Sequence, residues 1–172
     1  MRNFLVYLSV FEKTVVPIIT YGCEVWGFCI NEILRKLQMK FLKILFRLRQ
    51  STPTNLILGE LGIFPIDTCI KSRVLNYWFK LNLAENEHKL SSIVYKCLHK
   101  MYLSGIHESE YVKFIHNSLI EVGLPYLWNS HDVSTTQFTW FKPYVKTCIQ
   151  DQFITEWNST IQNNSIYNDY KL

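Results

Sequence analysis

Apolar residues recur along this chain at three- and four-residue steps between short polar breaks, and no strand-like alternation of useful length interrupts them. Leu5, Leu8 and Phe11 step in threes and predict a first helix over residues 4–12. Pro17 is placed to begin or kink a second one, running to Trp26 with Gly27 as its stop. The clearest pattern covers residues 32–49, with Asn31 as the N-cap. At 100° per residue, Ile33, Leu34, Leu37, Phe41, Ile44, Leu45 and Leu48 share an arc roughly 120° wide, which predicts the core-facing stripe. Thr52 and Pro53 read as cap and first helical residue of a short helix that Gly62 ends. Pro65 opens the next, carrying Ile66, Cys69, Ile70, Val74, Tyr77, Trp78 and Leu81.

Beyond the polar break at Glu85–His88, residues 88–103 are predicted helical, with Leu90, Ile93, Val94, Cys97, Leu98 and Met101 inward and Gly105 as the stop. Ser109 opens a helix that Gly123 closes. Leu124–Trp128 is an apolar connector of about one turn, and residues 129–136 are a polar loop. The last long helix is expected over 143–162, with Val145, Cys148, Ile149, Phe153, Ile154 and Trp157 as its apolar stripe. The prediction is an all-α fold, an irregular multi-helix bundle of six to eight helices.

Composition agrees with a packed helical protein: 48% of the 172 residues are apolar and 15% aromatic, enough for a core. Charge is uneven along the chain. Residues 1–100 hold 14 Lys and Arg against 7 Asp and Glu, and residues 101–172 hold 4 against 7. A basic front half is compatible with a polyanionic partner. Five widely spaced cysteines without a C-x-x-C pair argue against a disulfide framework and predict reduced core thiols in an intracellular, non-secreted protein. The apolar N-terminal stretch is broken by Glu12, Lys13 and Glu24, so neither a signal peptide nor a membrane span is expected.

Catalytic motifs are missing. No G-x-S-x-G, Walker or dinucleotide-binding pattern occurs, and the five histidines are spaced too irregularly for a helix-face metal pair, so no cofactor and no metal are expected. Nucleotidyl transfer needs paired carboxylates on two metal ions, whereas Asp67, Asp132, Asp151 and Asp169 stand apart. One charged pattern stands out. Lys36, Lys40, Lys43 and Arg47 fall within about 60° of one another on the 32–49 helix, beside Arg35 and Arg49. Such a row is either the solvated face of an amphipathic helix or a set of phosphate contacts along a nucleic-acid backbone. Trp26, Phe28, Tyr77, Trp78 and Phe79 could stack on bases, although their helical spacing favours the core.

Several blocks, in order and at matching intervals, resemble the region C-terminal to the polymerase active site in reverse transcriptases of non-LTR (LINE-type) retrotransposons. The first is Pro17-Ile18-Ile19-Thr20-Tyr21-Gly22-Cys23-Glu24-Val25-Trp26-Gly27. Then come the Asn31–Lys43 helix, Ser51-Thr52-Pro53-Thr54-Asn55, Gly59-Glu60-Leu61-Gly62-Ile63-Phe64-Pro65-Ile66 and Arg73–Leu81. Leu124–Trp128 and Asp151–Trp157 complete the set. The resemblance implies a thumb-like basic region over 1–105 and a helical linker region over 106–172, packed as one unit. It also implies a scaffold built around Tyr21, Trp26, Trp78 and Trp157, with the palm and its catalytic aspartates lying before residue 1.

On this reading the chain is a transposable-element fragment, non-catalytic by itself. It supports template–primer binding through Arg35, Lys36, Lys40, Lys43, Arg47 and Arg49, with RNA or an RNA–DNA duplex as partner. Residues 4–19 would expose apolar surface meant for the missing palm and so favour self-association. The rival readings are a domesticated helical module binding protein or nucleic acid, a relic without selected activity, and a helical enzyme whose site is assembled from distant residues.

Overall fold

A computed structural model describes residues 2–29, 32–129 and 135–163. The chain is all-α, with no strand among the described residues. Among the described residues, seven helices have eight residues or more: α1 (Arg2–Val10), α4 (Glu32–Leu45), α5 (Thr54–Leu61), α6 (Ile66–Leu81), α7 (Leu90–Leu103), α8 (Glu110–Glu121) and α9 (Thr135–Asn163). Two single turns, α2 (Val16–Ile19) and α3 (Cys23–Trp26), lie between α1 and α4.

Boundaries follow local chemistry, not always as periodicity predicts. Pro17 lies in the first turn of α2, as a helix-starting proline, but α1 leads into that turn through a π-helical stretch, Phe11–Val15. The wider turn suits a residue that cannot donate to the preceding carbonyls. The real break is at Gly22, whose φ of 67° is left-handed. α4 stops at Leu45, four residues before the expected end. α5 begins at Thr54 with Pro53 as its N-cap and without a side-chain cap bond, so Thr52 does not cap it. α9 starts at Thr135 and passes through Pro143. Asn31 lies outside the described residues.

The described chain forms two compact units. The first combines residues 1–21, 30–69 and 150–172. Its core is Met39, Leu42, Ile57, Leu58 and Ile63, with Leu8, Phe41, Phe46, Leu61 and Phe153 packed against them. Phe11 stacks on Phe41 with ring centroids 4.1 Å apart. Trp157 donates from Nε1 to the Asn55 carbonyl at 2.7 Å and lays its ring over Gly59. In the same unit Val6, Tyr7, Val10 and Ile18 of the 4–19 segment are exposed, whereas Phe11 within it is buried. Tyr21, expected in the scaffold, is also exposed.

The second unit combines residues 22–29 and 70–149. Ile70, Val74, Leu75, Trp78 and Phe79 of α6 are buried with Val112, Ile115 and Leu119 of α8 and Phe141 and Val145 of α9. Phe79 stacks on Phe141 at 4.2 Å. Trp78 Nε1 donates to the Tyr95 hydroxyl at 2.6 Å, and burial pushes that hydroxyl's pKa up. Gly27 is a packing glycine, because a Cβ there would sit 2.6 Å from Ile70 and 2.8 Å from Val74. α7 faces opposite to expectation. It buries Ser92, Tyr95 and His99, and leaves Leu90, Ile93, Val94 and Met101 exposed. Of the thiols, Cys23 is buried, whereas Cys29 and Cys97 are exposed and so are not core thiols.

Candidate nucleic-acid interface

α4 positions the basic row. Its buried residues are Gln38, Met39 and Leu42, whose centre lies about 125° from that of the predicted arc. Ile33, Leu37 and Ile44 are consequently exposed. Gln38 explains the rotation. Its Nε2 donates to the Phe64 carbonyl at 3.0 Å, and its Oε1 accepts from the Ile66 amide at 2.9 Å. One side chain thus satisfies the backbone on both sides of Pro65, including a helix-start N–H that α6 itself leaves unpaired. Burying this amide is tolerable only because both ends are bonded.

The row that remains is Lys36, Lys40 and Lys43, at i, i+4 and i+7. Lys36 and Lys40 are exposed and Lys43 is half-buried. Lys36 Nζ lies 3.0 Å from Glu32, one turn earlier. Both side chains are more than 70% exposed, so the pair is screened and contributes only about 0.3–0.5 kcal/mol. Lys43 Nζ donates to the Gln50 carbonyl at 2.6 Å. The three lysines, with Arg35, Gln50 and Thr54, line an open cleft of about 500 Å³.

The other three arginines are placed differently. Arg35 is committed to Asp67 in the first turn of α6, with Nε 2.7 Å from Oδ2 and a second bond from Nη2. It joins two elements and is not a free grip on phosphate. Arg47 lies beyond the helix at a left-handed φ of 52°. The Leu48 amide bonds the Lys43 carbonyl at 2.9 Å and the Arg47 amide bonds that of Ile44 at 3.1 Å. This is a Schellman closure with arginine where glycine is usual. Gly62, Gly105 and Gly123 occupy the equivalent position after α5, α7 and α8. Arg47 and the exposed Arg49 therefore do not extend the helical row, and the six residues reduce to a three-lysine face with Arg35 at its edge.

Counting Glu32 and Asp67 against Arg35, Lys36, Lys40 and Lys43 leaves two positive charges at the cleft. Such a surface offers cations that can meet anionic oxygens at points spaced along one helix. No group of three or more His, Cys, Asp or Glu suited to a metal occurs among the described residues. Asp151 is exposed, and Asp132 and Asp169 lie outside the described residues. Of the aromatics considered for stacking, Trp78 and Phe79 are buried, while Trp26, Phe28 and Tyr77 are half-buried. No helix among the described residues is long and apolar enough to cross a membrane. Comparison with protein-family models, characterised proteins and solved structures gives no match.

Proposed function

We propose that the chain is a nucleic-acid-binding helical region, the thumb and post-thumb part of a LINE-type reverse transcriptase, and that it grips the backbone of a template–primer duplex. Lys36, Lys40 and Lys43 make the phosphate contacts. The observation that carries this reading is the spacing of these three lysines on one open side of α4, where Lys36 pairs weakly with Glu32 and Lys43 bonds the Gln50 carbonyl. Exchanging an exposed pair worth a few tenths of a kcal/mol for a phosphate contact costs little. The ordered sequence blocks from Pro17 to Trp157 supply the family. The chain contributes grip, and nucleotide transfer belongs to another segment.

Three phosphate contacts fix the expected salt dependence. Each adds about −0.9 to the slope of log affinity against log salt on a duplex, so the parent is expected to show a slope of about −2 to −3. Replacing Lys36, Lys40 and Lys43 by Gln is expected to flatten the slope towards zero and weaken binding to a mixed-sequence RNA–DNA duplex at least tenfold. Fluorescence anisotropy across a salt series measures both. A triple variant that binds as tightly and as salt-sensitively as the parent overturns the proposal.

A further inference from the structure

In the second unit, α7 presents an apolar stripe to the outside. At 100° per residue, Leu90, Ile93, Val94, Cys97 and Met101 share an arc about 100° wide, on the side opposite the buried Ser92, Tyr95 and His99. Leu90, Ile93, Val94 and Met101 are between 39% and 76% exposed, and the Cys97 thiol in their midst is exposed as well. Single exposed apolar residues are ordinary on a protein surface, whereas a continuous row on one helix marks an interaction surface. The row also has a shape. Leu90, Val94, Cys97 and Met101 follow at steps of four, three and four residues, the 3.5-residue repeat of a seam against which another helix packs.

Charge beside the seam narrows the occupant. Lys89 and Lys100, both exposed, lie along one edge of the stripe, with Lys96 between them held 3.3 Å from Glu87. The other edge carries Ser91 and Leu98 and no charge. Flanking charges of this kind set which helix pairs with a seam. A second copy of the chain supplies no carboxylate to the lysines. Antiparallel pairing sets the lysine edge against itself, and parallel pairing sets it against Ser91 and Leu98. An anionic lipid surface would meet Glu85 and Glu87 at one end of α7 and Glu108 and Glu110 beyond the other, all exposed. A helix can confine its carboxylates to the lysine edge, which a lipid surface cannot. We propose that the α7 stripe docks an amphipathic helix of a partner protein, with that helix's apolar face on Val94, Cys97 and Met101 and a row of Asp or Glu facing Lys89 and Lys100. The inference does not depend on the α4 surface, and the two stand or fall separately.

A synthetic helix of about three heptads, with leucine at the two seam positions and glutamate at the flanking ones, is a suitable probe, since its own charge keeps it from self-pairing. Titrated into the full chain, it is expected to bind saturably and at least tenfold more tightly than the same peptide with lysine for glutamate. Saturating peptide is expected to slow alkylation of Cys97 at least tenfold and to leave Cys29, which is also exposed, at its original rate. Lys89→Glu with Lys100→Glu is expected to keep the helical circular-dichroism spectrum and to reverse the preference between the two peptides. Should that double variant unfold, Val94→Asp at an exposed seam position is expected to lose binding of the glutamate peptide at least tenfold. Gln at Lys36, Lys40 and Lys43 is expected to leave peptide binding unchanged. The inference is overturned if the glutamate peptide does not saturate, if the lysine peptide binds the parent as well, or if Val94→Asp retains full affinity. It is equally overturned if the chain alone dimerises, or binds phosphatidylserine vesicles, in a way that Val94→Asp abolishes.

Discussion

Gly59 shows how one contact reverses a local preference. It sits inside α5, where alanine would favour the helix by about 1 kcal/mol. A Cβ at that position would lie 2.3 Å from Cζ2 of Trp157, whose indole is anchored by its bond to the Asn55 carbonyl. Overpacking of this kind costs roughly 1–3 kcal/mol. Gly59→Ala, the difference of the two, is therefore expected to destabilise the protein by up to about 2 kcal/mol in chemical denaturation. In a Trp157→Leu background the same change is expected to become neutral or stabilising. A sign that does not depend on Trp157 would show that the ring is not what requires the glycine. The Tyr111 hydroxyl is a contrasting case: it is buried, its pKa is raised by burial, and it has no hydrogen-bond partner among the described residues. It therefore contributes through its ring, which meets Phe28 edge-on at 5.8 Å.

At the scale of elements, helices and stops were legible and helix rotation was not. Gly62, Gly105 and Gly123 could be read as terminators because a left-handed closing residue strongly favours glycine, and each holds that conformation. α4 and α7 show what periodicity leaves out. An apolar arc predicts that a helix is amphipathic, but its neighbours decide which side they cover. In α4 the deciding residue is Gln38, and in α7 it is the group of Ser92, Tyr95 and His99, where Tyr95 accepts from Trp78 and His99 packs on Trp128 at 4.6 Å. Polar residues that the fold buries look like surface in a sequence. The candidate site was legible as far as Lys36, Lys40 and Lys43, because helical spacing alone places them together. Arg35, Arg47 and Arg49 were not, since a distant carboxylate claims the first and an early helix end displaces the others. The role of Gln38 is testable: Gln38→Met keeps the volume but strands the Ile66 amide and the Phe64 carbonyl. It is expected to cost roughly 2–4 kcal/mol, read as a lower denaturation midpoint. A loss well below 1 kcal/mol would mean that the two bonds do not orient α4.

For the whole molecule, folding redistributes the charge. Along the sequence the first hundred residues are strongly basic and the remainder mildly acidic. Each compact unit, however, gathers nine Lys and Arg and seven Asp and Glu from its separate segments. Neither unit is therefore a general polycation, and a net charge of +4 spread this evenly gives little long-range steering. Attraction to a polyanion then has to come from local geometry, from cations spaced to meet successive phosphates within a Debye length of about 8 Å at physiological salt. This separates two causes that simple neutralisation confounds. Gln at Lys36, Lys40 and Lys43 removes three charges from one helix face. Gln at Lys89, Lys100 and Lys113, all exposed and all in the second unit, removes the same three charges elsewhere. If binding is a local grip, the first variant loses at least tenfold in duplex affinity, while the second stays within about twofold of the parent and keeps its salt slope. Equal losses in the two charge-matched proteins, measured at one ionic strength, would make the attraction a property of net charge and leave α4 no special part in it.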